Sequence, residues 1–452
     1  MSAVVQARAS SGAQVPLLAD ASATRCIAWR DGRAVDVAGF LADVGAIAAQ
    51  LPAGSHLVNL CEDRYAFLVT FCAAASRGQV NLLAGSRAPA AILELLDAHP
   101  GSVAASEAPI AGVPTHVIAP LGANARGCAP PPLDAAQVAA IGFTSGSTGT
   151  PKAHAKTWGM FGASCAANLG ALRACLPTGV EAHIVATVPA QHMYGIELSV
   201  LPPLFGAFAV HSGRPLLPAD VAAALAQVPA PRILVATPVH LRALLRSAVA
   251  LPPLAAIVSA TAPLEPALAA AAEAHCGAVL LEMFGSTETC VIAQRRTAHG
   301  EDWRLHEAVS LHPQPDGTLV EAPWFAAPVV LPDLVELLPQ RRFRLCGRQA
   351  DFVDIAGKRA SLADLSRRVL ALPGVVDAAV LQLDEPDAAG VRRVAALVVA
   401  PGRSEAELLA GLRDCIDPAF LPRPLRKVPA LPRNDTGKLP RARLIAMLGA
   451  RD

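Results

Sequence analysis

The chain is poor in aromatic residues. Only 4% of its 452 residues are Phe, Trp or Tyr, and two are Tyr. Its 53% hydrophobic content is therefore carried by Ala, Val and Leu, which still allows a sizeable core. Charge of one sign is missing too: 38 Lys and Arg against 37 Asp and Glu leave a formal net charge of +1. With no basic stripe and no acidic tail, charge gives no reason to expect nucleic acid as a partner. The locally basic "RPLRKVPALPR" near the C-terminus is short. Ten cysteines are present, but they form no C-x-x-C pair and no Cys/His cluster at metal-ligand spacing. Dispersed thiols in a chain of this length read as reduced and cytoplasmic. No membrane span is expected, since a span takes about 20 apolar residues. The most apolar stretch, "IELSVLPPLFGAFAV", is shorter and carries Glu197 and two prolines. The N-terminal "MSAVVQARASSGAQVPLLAD" lacks a continuous apolar h-region, so no secretory signal is expected.

Several common catalytic motifs are also missing. A Walker loop requires G-x-x-x-x-G-K-[ST], but Gly149 is followed by Thr150 and Pro151 before Lys152. The other Gly-Lys pairs, Gly357-Lys358 and Gly437-Lys438, precede Arg359 and Leu439. There is no G-x-G-x-x-G, no G-x-S-x-G elbow, no H-E-x-x-H and no internal repeat.

What is present is alternation. Short apolar runs such as "SHLVNLC", "VNLLAG", "VAAIGF", "EAHIVATVP", "PRILVATP", "LAAIVSA" and "AVLLEMFG" read as buried strands. Between them, "VAGFLADVGAIAAQL", "PAAILELLDAHP", "PADVAAALAQVP" and "PVHLRALLRSAVA" read as helices. This order predicts an α/β fold with mostly parallel sheets flanked by helices. Past Phe343 the texture changes. "RLCGRQADFVDIAGKR" reads as a charged hairpin, "SLADLSRRVLAL" as a helix with Ser361 as N-cap, and "VVDAAVLQLD" and "RRVAALVVAP" as strands. We expect a large domain over residues 1–346 and a small α+β domain over residues 347–452.

The least ordinary stretch is "GFTSGSTGTPKAHAKTW", Gly142 to Trp158. It follows a strand, where ligands of α/β folds bind, and a helix is expected from about Trp158. Gly146 and Gly149 let backbone N–H groups turn inward around an anion. Thr144, Ser145, Ser147 and Thr148 add hydroxyls, and Lys152 adds a point charge. On these residues alone, a phosphate grip and a solvated Ser/Gly turn remain equal alternatives.

The full string "TSGSTGTPK" resembles the phosphate-binding signature of the adenylate-forming enzymes: acyl- and aryl-CoA synthetases, adenylation domains of peptide synthetases, and luciferases. Further resemblances follow in family order. "MFGSTET", Met283 to Thr289, is similar to the second signature, with Phe284 and Gly285 at the nucleotide. The resemblance implies that Thr287 contacts the α-phosphate and Glu288 holds Mg²⁺. "SATAPLEP" resembles the loop that packs on adenine, through Ala262 and Pro263. "VLPDLVELLPQRRFRLCGRQADFVDIAGKR" resembles the stretch whose Asp, here Asp333, bonds the ribose hydroxyls and whose Arg348 and Arg359 reach the nucleotide. "PRNDTGKLPRARL" resembles the C-terminal signature with its catalytic lysine, here Lys438. These resemblances span Thr144 to Arg441 and imply the short stand-alone acyl-CoA synthetase type.

The implied reaction joins a carboxylate to the α-phosphate of ATP, releases pyrophosphate, then passes the acyl group to a thiol. Joining two anions calls for fixed positive charge and positioning more than for an acid or base. Lys438 would bridge the two anions, the Gly-rich loop with Lys152 would hold the leaving phosphates, and Glu288 would place the metal. The family alternates its two steps by rotating the small domain, so Lys438 enters for the first and leaves for the second. The hinge position, usually Asp or Lys, is Ala350 here. "DGTLVEAPWFAAPVV" is a second departure, shorter than the usual stretch, and the chain itself is shorter than most members.

"VPAQHMYGIELSVLPPLFGA" resembles the substrate-pocket segment of acyl-CoA synthetases and puts His192 near the acyl group. A histidine that caps an element is the equal alternative. The acidic residue with which amino-acid-activating domains hold an amine is missing, which favours a simple aryl or fatty carboxylic acid. The expected acceptor is coenzyme A or the phosphopantetheine of an acyl carrier protein. Competing readings are a non-catalytic nucleotide-binding member, a member that hands acyl-AMP to a protein, and an amino-acid-adenylating stand-alone domain.

Overall fold

Short runs of Val, Leu, Ile and Ala, each bounded by Gly, Pro or Ser, become the strands of two sheets. The structure, a computed structural model, describes residues 13–119, 121–122, 132–144, 152–247, 249–348, 352–355, 358–387, 391–433 and 439–449. The chain divides into two compact units, Met1–Ser310 with Glu321–Val329, and Leu311–Val320 with Val330–Asp452.

In the first unit one sheet has six strands, in the order Lys152–Thr157, Val138–Thr144, Val80–Leu83, His56–Asn59, Ser102–Ser106 and Thr115–Val117. All its pairings are parallel except that of Lys152–Thr157 with Val138–Thr144, which are antiparallel. The second sheet has a parallel centre of Cys26–Arg30, Phe208–His211, Ala182–Ala186, Arg232–Ala236, Ala256–Ser259 and Val279–Ser286. Cys290–Arg295 then folds back antiparallel along Val279–Ser286. Near-continuous apolar strands are what a parallel sheet covered on both faces requires.

The helix Arg64–Ser76 lies in the main core with strands of both sheets. Residues 64–75 are all buried, so the helix has no solvent stripe and its sequence no 3.6-residue alternation. Asp63 caps it by accepting from Ala66 N. Its first residue, Arg64, is 1% exposed and donates to Ser199 Oγ, Ala186 O and Val188 O. The guanidinium thereby ties the helix to the end of strand Ala182–Ala186. Burial, joined by repulsion from Arg214, outweighs the opposing pull of Asp63 and lowers its pKa to about 9.

The second unit holds the hairpin Asp333–Leu338 with Arg342–Arg348, a second hairpin Phe352–Ile355 with Lys358–Ser361, and a three-stranded sheet of Asp377–Gln382, Val394–Val399 and Leu425–Lys427. Helices Leu362–Leu370 and Glu405–Arg413 pack on that sheet in a core of their own. Ser361 is the N-cap of its helix as expected, but its side chain makes no capping bond. Ser404 does, in a reciprocal capping box with Glu407.

One local expectation changes. The Gly/Ser/Thr loop does not lead straight into a helix: Lys152–Thr157 is a strand first, and Trp158–Arg173 follows it, capped by Thr157. "KAHAKT" shows no apolar alternation because its buried positions are Lys156 and Thr157.

Candidate active site

The residues singled out in the first unit gather where strands end. Val138–Thr144 ends at Thr144, Val279–Ser286 runs into Thr287 and Glu288, Ala256–Ser259 leads to Ala262 and Pro263, and Ala182–Ala186 leads to His192. This carboxyl edge is where open parallel sheets bind ligands.

Two glycines let the segments meet. A Cβ on Gly142 would lie 2.7 Å from Thr287 Cγ2, so the strand before the Gly-rich loop touches the second signature directly. A Cβ on Gly285 would lie 2.1 Å from Cys290 O and 2.7 Å from Val291 Cα. Only glycine allows that approach of two backbones at the bulge between Phe284 and Gly285. Phe284 itself packs on Trp303, ring centroids 5.3 Å apart.

The turn between these strands is fixed by its own hydroxyls. Ser286 N donates to Thr289 Oγ1 at 3.2 Å and Thr289 N to Ser286 Oγ at 3.3 Å. Thr289 Oγ1 donates to Cys290 O at 2.8 Å, and Cys290 takes a φ of 62°. From below, Lys156 Nζ donates to Glu288 O at 2.6 Å. The Glu288 carboxylate lies 3.5 Å from His154 Nε2, which is 2.9 Å from Thr144 Oγ1.

Burial would raise the Glu288 carboxyl, but the Ser286 hydroxyl, the backbone and the neighbouring His154 and Lys156 outweigh it and hold it below the usual value. It is therefore ionised at neutral pH. Burial lowers the His154 pKa, more than Glu288 raises it, so the imidazole is neutral there. Among the described residues no three His, Cys, Asp or Glu side chains cluster at metal-holding distance. One ionised carboxylate beside a hydroxyl suits a hard cation that keeps most of its oxygen ligands from water and phosphates, as Mg²⁺ does.

His192 caps the short helix Met193–Gly195, its Nδ1 accepting from Tyr194 N at 3.3 Å. Tyr194 Oη sits 3.0 Å from Ala236 O and 2.9 Å from Val258 O, joining this helix to two strand ends. Met193 Sδ lies 3.7 Å from the Cβ position of Gly142, so the segment carrying His192 borders the signatures. Lys152 is exposed, opposite Thr144 in the register. In the second unit Asp333 and Arg348 are opposed across their hairpin. Ser145, Gly146, Ser147, Thr148, Gly149, Ala350 and Lys438 lie outside the described residues, as do the side chains of Arg348 and Arg359.

Residues 47–314 match the family model described as "AMP-binding enzyme". The chain belongs to this family. A 4-coumarate–CoA ligase of Halorhodospira halophila is 33% identical over 318 residues, covering 66% of this chain and 73% of that one. A second 4-coumarate–CoA ligase, from Rhodobacter capsulatus, is 34% identical over 278 residues, 61% of this chain and 66% of the relative. Among solved structures, o-succinylbenzoate CoA synthetase from Bacillus subtilis, in complex with its acyl-adenylate intermediate, superposes with a TM-score of 0.81. That likeness covers 97% of this chain and 99% of the other at 18% identity, and shows that the α/β fold is that of adenylate-forming enzymes.

Membership of the AMP-binding family does not account for every side chain at the site. Lys156, His154 and Glu197 were not singled out from the sequence. His154 and Lys156 were hidden in a segment read as loop. Glu197 was visible as a lone carboxylate in an apolar run, the one signal that marks a buried, hydrogen-bonded acid. No helix among the described residues is long and apolar enough to cross a membrane.

Proposed function

We propose that the protein is an AMP-forming acid–thiol ligase. It activates a carboxylic acid with MgATP, releasing pyrophosphate, and transfers the acyl group from acyl-AMP to a thiol. The observation that carries this reading is the contact of Gly142 with Thr287, which brings the two nucleotide signatures together beside an ionised Glu288.

In this reading Thr144 to Gly149 with Lys152 hold the β- and γ-phosphates. Thr287 donates to the α-phosphate, and Glu288 holds Mg²⁺, which neutralises charge on the departing pyrophosphate. Ala262, Pro263, Phe284 and Gly285 enclose the adenine, while Asp333, Arg348 and Arg359 hold ribose and phosphate. Lys438 brings the carboxylate and the α-phosphate together. The lid that carries it, residues 347–452, swings on Ala350 between the two steps.

His192 and Met193 border the acyl group. Neither offers a carboxylate to an amine, so a simple acid is taken, and the named activity of the two CoA ligase relatives favours an aryl acid with coenzyme A as acceptor. An acyl carrier protein is the second acceptor to test, and the cytoplasm is the proposed location. The decisive measurement is pyrophosphate exchange into ATP with a panel of benzoates, cinnamates and fatty acids. Exchange with one class, followed by thioester formation on coenzyme A or a carrier protein, fixes substrate and acceptor. Tight ATP binding with no exchange for any acid refutes the proposal.

A further inference from the structure

Two ionisable side chains are buried behind the second signature, and the reaction as described uses neither. Lys156 is 1% exposed and Glu197 is 2% exposed. Lys156 comes from the strand after the Gly-rich loop; Glu197 comes from the π-helical turn Ile196–Val200, four residues past Met193. Each is fastened to the backbone of the same turn. Lys156 Nζ donates to Glu288 O at 2.6 Å, and Glu197 Oε2 accepts from Val291 N at 2.8 Å. The carboxylate also accepts from Ser164 Oγ at 3.0 Å and Asn168 Nδ2 at 3.3 Å, both on the helix Trp158–Arg173.

Between the two anchored positions sits Cys290, a non-glycine residue with φ of 62°. Such a conformation costs about 1–3 kcal/mol and persists only where its surroundings over-determine it. Lys156 fixes the chain just before Cys290 and Glu197 fixes it just after. An apolar filling would leave Glu288 O and Val291 N without these partners. The ionic choice carries a geometric consequence: the backbone that aims Thr287 and Glu288 is held by one residue from the phosphate-loop hairpin and one from the segment bordering the acyl group.

We propose that Lys156 and Glu197 are a pair of positioning residues for the adenylation step. By clamping residues 288–291 they hold the Thr287 hydroxyl and the Glu288 carboxylate where the α-phosphate and the metal must meet. Their neutralisation therefore impairs acyl-AMP formation and leaves thioester formation from acyl-AMP in place. This rests on the ligase reading above.

The test uses the full chain with Glu197→Gln, which keeps shape and an acceptor oxygen, and Lys156→Met, which keeps the stem without the charge. Pyrophosphate exchange is measured above pH 7, where the Glu197 carboxyl that burial raises to about 7 is ionised, with the acid that wild type accepts and across a Mg²⁺ titration. Thioester formation is measured separately from that acid's synthetic adenylate. Outer partners of a metal-binding group change affinity or activity about 10–100-fold on removal. We expect exchange to fall by that factor in both variants, with a higher Mg²⁺ requirement, while the second step changes by less than about twofold. Equal loss of both steps, or loss of folding in both variants, assigns the pair to general architecture and overturns the proposal. So does unchanged exchange. An inactive wild type would instead overturn the ligase reading itself.

Discussion

Gly142→Ala is the sharpest perturbation that the site offers. The new Cβ would lie 2.7 Å from Thr287 Cγ2, with Met193 Sδ at 3.7 Å. Non-bonded carbons settle at about 3.5–4.0 Å, so about 1 Å of overlap must be relieved. The obstacle is the methyl of one side chain, and Thr287 must turn or retreat to clear it. Overpacking of this kind costs about 1–3 kcal/mol, a melting shift of a few degrees in a chain of this length. The effect on catalysis should be larger, because misplacing a reacting or binding group by about 1 Å costs on the order of 100-fold.

The cause can be isolated with Thr287→Ser, which deletes Cγ2 and keeps the hydroxyl. In the double variant the Cβ at 142 meets open space where the methyl stood. Exchange should recover most of its loss, and a coupling energy of about 1–2 kcal/mol should appear in the melting cycle. Strictly additive losses in both assays would show that Gly142 and Thr287 do not meet and would remove the observation on which the proposed function rests.

Three other outcomes are expected. Lys438→Ala should abolish pyrophosphate exchange and spare thioester formation from supplied acyl-AMP; equal loss of both steps would contradict the alternating lid. Chelation of Mg²⁺ should likewise stop exchange and spare the second step, which separates the metal's role on pyrophosphate from any role in thioester formation. Stability should also depend on pH through Glu197, whose carboxyl burial holds at about 7 against 4.5 for a free side chain. The native state then binds this proton more tightly than the unfolded chain, so stability is greatest below about 4.5, falls as pH rises to about 7, and levels off above. At about 1.4 kcal/mol per pKa unit the fall is about 3 kcal/mol. Glu197→Gln should flatten that part of the melting profile, and identical slopes in the two proteins would refute the assignment.

Most of the sheet was legible because its strands are fully buried. Runs such as "RILVA" and "AIVS" name themselves by apolarity alone. The helix Arg64–Ser76 was not legible for the same reason: buried all round, it has no periodicity to detect. The strand Lys152–Thr157 escaped because charged and polar residues occupy its inward positions. Thr287, Glu288 and Gly285 could be named from the motif that carries them, yet their environment could not. The partners of Glu288 lie 132 residues upstream in Lys156 and slightly farther in His154, and only a folded hairpin brings them near. Glu197 shows the limit in the other direction. It was visible as an oddity in an apolar run, but the sequence does not say which backbone N–H it meets 94 residues later.

That distance bears on why the chain carries buried charge here at all. Removing an ammonium and a carboxylate from water costs several kcal/mol each, and their mutual attraction returns only part of it. Lys156 and Glu197 attract one another without a direct ion pair, so the electrostatic return is smaller still. Hydrogen bonds to Glu288 O, Val291 N, Ser164 and Asn168 offset some of the remainder, as neutral side chains also would. Stability therefore does not explain the pair. Direction does. In the proposed reading this turn meets the charges of phosphate and metal when nucleotide binds, and forces on it change at that moment. Charged anchors resist such forces better than dispersion contacts, which weaken with small displacements. The two glycines add to this closeness: Gly285 lets two backbones approach, and Gly142 makes room for the Thr287 methyl. The turn from Ser286 to Cys290 is thus held from two sides at once, by Lys156 on the carbonyl of Glu288 and by Glu197 on the N–H of Val291 just beyond it.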